Sequence, residues 1–339
     1  MLKRVNVAVI GCGFIAQTAH IPNILRIPEA QLVSIVDVEP GALSEVGDKF
    51  GISDRFSDYR DILKREDIDA VVICTPTSTH SQIAIDVAEA GKHVFVEKPI
   101  ASTSDDADRI INAAKKSGVK LMVGHFSRFL PNHIIAKKYI DKGAIGDLLY
   151  VKAQSETLTI KPDEGVLLDY GVHLIDLVCW YLDYSQIDSV AGFLHSSTEE
   201  APDTEVTLIM RFKNGIIGSI ETFWMANWQS WSATERSVKI LGSKGKIISE
   251  LTGPSLSVYK DGTLFSRLRG LHKIMPRQAV NPRLPLTQTG YLKEMEHFID
   301  CIIKDKEPSV SGYQGKKVVK IVEAAVKSNE EGKYMKVED

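Results

Sequence analysis

Near the amino terminus, Gly11-Cys12-Gly13-Phe14-Ile15-Ala16 has GxGxxG/A spacing. In that motif the first glycine makes a tight turn, the second admits a pyrophosphate to the backbone, and the small last residue lets helix pack on strand. Glycines in any strand-to-helix turn give the same pattern, so the motif is weak alone. Its surroundings strengthen it, because an apolar run precedes it, a helical pattern follows, and Asp37 stands 24 positions past Gly13. An acidic residue near that distance accepts the ribose 2′-hydroxyl. The Asp37 carboxylate would repel a 2′-phosphate, and nothing basic stands among Val38, Glu39, Pro40 and Gly41. The expected cofactor is NAD, with NADP disfavoured.

A second group is Glu97-Lys98-Pro99, directly after the apolar stretch His93 to Val96. A lysine there can reach both a nicotinamide and a substrate hydroxyl, and its charge would stabilise the alkoxide that develops as hydride leaves. An exposed Glu/Lys pair capping a strand fits the tripeptide as well. Thr75-Pro76-Thr77, with His80 following, occupies the equivalent edge after another strand and is expected to line the cofactor.

The third group lies in residues 167–180, where Asp169, His173 and Asp176 recur at i, i+4 and i+7 in an otherwise almost wholly apolar helical segment. A buried polar row needs partners or a function. Three readings fit it: Asp169 as a helix cap with His173 a satisfied core residue, a metal site, or His173 as the group that exchanges a hydroxyl proton. The last is preferred, because imidazole titrates close to neutral pH.

These groups need elements to hold them. In residues 1–123, strand patterns at Val5 to Ile10, Leu32 to Val36, Ala70 to Cys74, His93 to Val96 and Leu121 to Val123 alternate with helical patterns. The first helix begins near Phe14, with an interruption expected at Ile21-Pro22. Alternation of this kind predicts a doubly wound parallel sheet with right-handed crossovers. Residues 124–339 read as a separate α+β domain with a largely antiparallel sheet, its strand runs falling between Asp147 and Tyr259. Helices follow over roughly Thr289 to Lys304 and Gln314 to Asn329.

Composition sets the outer bounds. The chain has 339 residues, enough for about two domains, and 41 basic against 44 acidic residues, so no basic excess points to nucleic acid. Four cysteines without CxxC spacing suggest neither a zinc knuckle nor a disulfide framework, and fit a reducing cytosol. No run approaches the apolar length of a membrane helix. Lys3-Arg4 and the short apolar run after them, interrupted by Asn6, are not read as a signal.

Together the motifs resemble the family that contains glucose-fructose oxidoreductase, inositol 2-dehydrogenase and the rhizopine-catabolism dehydrogenases (Gfo/Idh/MocA). The similarity runs over essentially the whole length: Ala8 to Ala16, the CTPxxxH loop Cys74 to His80, Glu97 to Pro99, Gly124 to Pro131, Asp169 to Asp176, and the closing Pro308 to Gly312 and Ser328 to Gly332. The resemblance implies a Rossmann domain followed by a domain with a large, mostly antiparallel open-faced sheet, which commonly forms dimers and tetramers. It implies NAD(P)-dependent oxidation of a secondary alcohol, or reduction of the matching ketone, on a sugar, cyclic polyol or nucleotide sugar. Other members cleave glycosidic bonds with transient use of NAD, or bind the dinucleotide as regulators. Carried over by position, Lys98 contacts substrate and nicotinamide, Asp169 hydrogen-bonds the substrate, His173 is the acid/base, and Arg128 stands near substrate or cofactor. The Lys98-Pro99 bond is expected to be cis. Trp224, Trp228 and Trp231 fit either a sugar-stacking wall or a subunit contact.

Overall fold

A computed structural model describes residues 4–158, 163–225, 236–250, 256–260, 272–274 and 286–338. The chain divides into two units, Met1–Phe126 with Gly290–Val319, and Ser127–Thr289 with Lys320–Asp339.

The first unit is built on strands β1 (Val5–Ile10), β2 (Ala30–Val36), β3 (Arg55–Phe56), β4 (Ala70–Ile73), β5 (His93–Glu97) and β6 (Leu121–Gly124). Their order in the sheet is β3-β2-β1-β4-β5-β6, with every neighbouring pair parallel. The apolar, β-branched runs explain this arrangement: all four residues of β4 and five of the six in β1 are buried, as strands covered on both faces require. The chain runs outward in opposite directions from β1 and β4, so a crevice opens beyond their carboxyl ends. Gly11 follows one strand there and Thr75 comes soon after the other.

The crossover helices obey local rules. Ser104–Ser117 starts at Thr103, whose hydroxyl accepts the Asp106 N–H at 3.1 Å, and has Asp105 and Asp106 in its first turn and Lys115 and Lys116 in its last. The interruption expected at Ile21-Pro22 takes the form of a change of helix type. One π-helical turn, Ala16–His20, leads directly into the helix Ile21–Ile24, and the Ile21 N–H bonds the Ala16 carbonyl. Pro22 therefore falls in the first turn of the following helix, where a missing N–H is tolerated. β3 and the helix Tyr59–Leu63 are too short to produce a period in the sequence. Residues 290–319 join this unit in part through the Val123 N–H, which donates to the Val310 carbonyl at 3.0 Å.

The second unit carries a nine-stranded sheet made of β7 (Leu148–Thr157), β8 (Ile187–His195), β9 (Glu205–Phe212), β10 (Ile217–Trp224), β11 (Arg236–Gly242), β12 (Gly245–Glu250), β13 (Leu256–Lys260), β14 (His272–Ile274) and β15 (Met335–Lys336). The order is β14-β13-β12-β11-β7-β10-β9-β8-β15, and only β7 with β10 runs parallel. The helix Val172–Leu182 lies on β7 and β10. It approaches closely because Gly218 on β10 has no side chain; a Cβ there would stand 2.5 Å from Val178 Cγ1. Trp228 and Trp231 lie outside the described residues.

Candidate functional site

At the carboxyl end of β1, Gly11 has φ +94°, and a Cβ on it would stand 2.6 Å from the Cys74 carbonyl oxygen. Conformation and space both require glycine. Gly13 differs: a Cβ there would meet nothing within 4 Å. Packing inside the fold does not demand glycine at that position, whereas close approach of a pyrophosphate does. Asp37 follows β2, its Oδ2 accepting the Cys12 N–H at 2.7 Å and its Oδ1 the Glu39 N–H at 2.9 Å. These bonds fix the carboxylate beside the glycine turn, where a ribose hydroxyl would be read. Phe14 and Val38, next in sequence to Gly13 and Asp37, are largely exposed, and Ile15 is half-buried. The turn, the open Gly13 and the anchored Asp37 fit NAD.

Lys98 is half-buried after β5 and its bond to Pro99 is cis. Two neighbours expected to touch the cofactor use their polar atoms inside the unit. Glu97 is 7% exposed; its Oε1 lies 2.6 Å from His20 Nε2 and its Oε2 accepts the Lys98 N–H at 3.0 Å. Burial works to raise the Glu97 pKa, but His20 and Lys98 overrule it and hold the carboxyl below its ordinary range. An ionised carboxylate can only accept, so His20 Nε2 carries the hydrogen. His80 is also buried, with Nδ1 2.9 Å from the Pro99 carbonyl oxygen and Nε2 2.9 Å from that of Thr75. It thus ties the loop after β4 to the loop after β5, with Thr75 half-buried and Pro76 exposed.

In the second unit a π-helical turn, Leu167–Gly171, runs straight into Val172–Leu182. Asp169 sits within that turn, past the position of a cap, and is half-buried. His173 is 8% exposed, in the next turn. Asp176 has 0% exposure and is held by Arg128, Nε to Oδ2 at 2.7 Å and Nη2 to Oδ1 at 2.5 Å. Tyr184 donates to the same carboxylate. Arg128, placed near substrate or cofactor by the resemblance, is itself 4% exposed. Its guanidinium is committed to this internal pair, where burial opposes the charge and Asp176 restores it. The metal reading loses Asp176 to that pairing, and among the described residues no group of three or more His, Cys, Asp or Glu could hold an ion.

Several other reactive groups are silenced. Burial, then the nearby Asp37 charge, push the Cys12 thiol up to about 12, and burial raises Cys74 well above its usual range. Burial pushes His133 down to about 3, leaving a neutral ring with Nδ1 2.7 Å from the Tyr181 hydroxyl. His20 and Tyr184 did not stand out in the sequence. A histidine four residues past Ala16, on the helix that follows the glycine turn, was the available signal for the first.

Lys98 stands in the first unit, Asp169 and His173 in the second. Residues 5–125 match the family described as "Oxidoreductase family, NAD-binding Rossmann fold", and residues 137–337 match its "C-terminal alpha/beta domain". The chain is 29% identical to the myo-inositol 2-dehydrogenase of Thermotoga maritima over 98% of its own length and 99% of the relative's. It is also 29% identical to the scyllo-inositol 2-dehydrogenase (NAD(+)) of Bacillus subtilis, over 92% and 90%. Among solved structures it resembles a levoglucosan dehydrogenase in complex with NADH and L-sorbose, with a TM-score of 0.87, 26% identity, and coverage of 99% and 100%.

Replacing Arg128 with Met strands the Asp176 carboxylate in the core and should cost about 3 to 5 kcal/mol in denaturant unfolding; a loss under about 1 kcal/mol would show that the pair is not what holds Asp176. Glu97 binds its proton less tightly folded than unfolded, so it stabilises the fold above its unfolded pKa and loses that contribution as acid protonates it. The melting temperature of Glu97→Gln should therefore fall less steeply than that of the parent as the pH drops below the ordinary glutamate range. Parallel acid limbs would remove Glu97 from this role.

Proposed function

The chain belongs to the oxidoreductase family that joins an NAD-binding Rossmann fold to a C-terminal alpha/beta domain, and on that premise we propose that it transfers a hydride between NAD and a secondary alcohol or ketone of a sugar, cyclic polyol or nucleotide sugar. Relatives named for inositol and a solved structure named for levoglucosan, both similar along nearly the whole chain, support the substrate class. The observation that carries the reading is the pair Asp169 and His173, one turn apart where a π-helical turn enters a largely apolar helix.

When bound, the nicotinamide supplies a hydride acceptor at C4. In the oxidising direction the His173 imidazole takes the proton of the reacting hydroxyl and passes it to water. Lys98 is assigned the stabilisation of the negative charge that builds on the substrate as hydride leaves. Asp169 accepts a hydrogen bond from the substrate, which fixes the polyol ring for transfer. Asp37, anchored by two backbone amides, favours a ribose 2′-hydroxyl over a 2′-phosphate. In this reading residues 1–123 serve the dinucleotide and residues 124–339 the substrate and oligomer contacts. The buried Gly11, the open Gly13, Thr75 and Pro76 line the cofactor. Phe193 and Ile209, exposed on one face of the nine-stranded sheet, support a homodimer or homotetramer through that sheet, which light scattering reads. Among the described residues no helix is long and apolar enough to cross a membrane.

A panel of polyols, aldoses and nucleotide sugars, each run with NAD and NADP and followed by absorbance of the reduced cofactor, tests substrate class and cofactor together. At least one polyol or sugar should reduce NAD, with kcat/KM at least about tenfold above that with NADP, roughly what 1.4 kcal/mol of discrimination gives. NADP preference would overturn the Asp37 assignment, and NAD binding without turnover on any substrate would overturn the activity. His173→Asn should lower kcat by about 10² to 10⁴ while NADH still binds; near-normal turnover would remove His173 as the acid/base.

A further inference from the structure

We propose that Asp203, on the connection between β8 and β9, is the positioning residue of the helix that carries Asp169 and His173, capping it from outside its own sequence. The first amides of a helix have no partner within it and are ordinarily met by a Ser, Thr, Asp or Asn side chain just before it. Here that position is Val166, which offers no side-chain bond. Asp203 supplies one from 36 residues away: its Oδ1 accepts the Leu167 N–H at 2.8 Å, and its carbonyl accepts the Val166 N–H at 3.2 Å. The residue is 4% exposed. Burial raises the pKa of its carboxyl, and the Leu167 and Val166 amides pull against that rise.

Gly165 makes the same contact from the helix side. It has φ +67°, and a Cβ on it would stand 2.7 to 2.8 Å from the three carboxylate atoms of Asp203. Only a residue without a side chain lets the turn close on the carboxylate, and the conformation also disfavours any other residue. Asp203 is in turn fixed by the sheet. The Thr204 N–H donates to the His195 carbonyl at 2.9 Å, the Trp224 N–H donates to the Thr204 carbonyl at 2.8 Å, and the Ser197 N–H donates to Thr204 Oγ1 at 2.8 Å. The position of β8, β9 and β10 is thus passed through one carboxylate to Leu167, the first residue of the π-helical turn that holds Asp169. Misplacement of reacting groups by about 1 Å can cost roughly a hundredfold in rate, so this link bears on turnover while touching no substrate. The inference rests on the assignment of Asp169 and His173 to the reaction.

The test uses the full chain as parent, Asp203→Ala, Asp203→Asn and Gly165→Ala, read by amide hydrogen exchange, NADH binding and turnover. Asp203→Ala removes the acceptor, and Gly165→Ala pushes the turn off it with the carboxylate in place. Both should raise exchange at residues 167–172 by at least about tenfold relative to the rest of the unit and lower kcat by about 10- to 100-fold. NADH affinity should stay within about twofold, a change near 0.4 kcal/mol. Asp203→Asn keeps an oxygen acceptor and should restore most of both losses. Parental exchange at 167–172 in both Asp203→Ala and Gly165→Ala, a rise spread evenly over the unit, or Asp203→Asn behaving as Asp203→Ala would each overturn the proposal. If the parent oxidises no substrate, the activity reading fails, and hydrogen exchange still decides whether Asp203 holds the helix.

Discussion

Removing a carboxylate from water costs several kcal/mol unless donors replace the lost solvent, and this chain accepts that constraint beside Lys98, Asp169 and His173. Glu97 is next to Lys98, Asp176 lies one turn beyond His173, and Asp203 meets the turn that holds Asp169; all three are buried. Each has donors arranged around it: His20 and the Lys98 amide for the first, Arg128 and Tyr184 for the second, the Leu167 amide for the third. A buried acceptor with fixed donors tolerates little displacement. Side chains attached to the same few residues inherit that precision, which a site on exposed loops alone would lack.

The two units solve different parts of the problem. In the first, parallel strands with apolar runs leave their carboxyl ends for the glycine turn, Asp37 and Lys98, and backbone geometry does most of the work: a glycine forced by φ, a second left open, and an acidic side chain locked by amides. In the second, a helix with apolar surroundings carries the polar residues, so the ion pair at Asp176 and the remote acceptor at Asp203 set its register and its start. The thiols near the first site, Cys12 and Cys74, are held neutral, and His133 in the second unit is held uncharged by burial.

Much of this was legible from residues alone because it is local. A glycine fingerprint, an acidic residue at the right distance, a strand ending in Glu-Lys-Pro and an i, i+4 pair are all patterns along the chain, and the alternation of strand and helix announced the parallel sheet. What stayed hidden depends on distance in sequence. Arg128 and Asp176 are 48 residues apart, His20 and Glu97 77, and Leu167 and Asp203 36, so no periodicity could reveal that Arg128, Glu97 and His80 serve the interior. The two π-helical turns were also invisible, because a widened turn changes which carbonyl an amide meets without changing composition. That is why Pro22 reads as an interruption in the sequence and stands in the first turn of a helix that directly follows a π-helical turn.

Direct hydride transfer is tested by following the hydrogen itself. A polyol or sugar carrying deuterium at the carbinol carbon is incubated with the enzyme and NAD, and the reduced cofactor and recovered sugar are analysed by mass spectrometry. Hydride transfer should leave one deuterium per NADH, on the nicotinamide ring, with ketone formed in equal amount. Bond cleavage that returns deuterium to the sugar with no net NADH, or bound NAD that never acquires label, would contradict it.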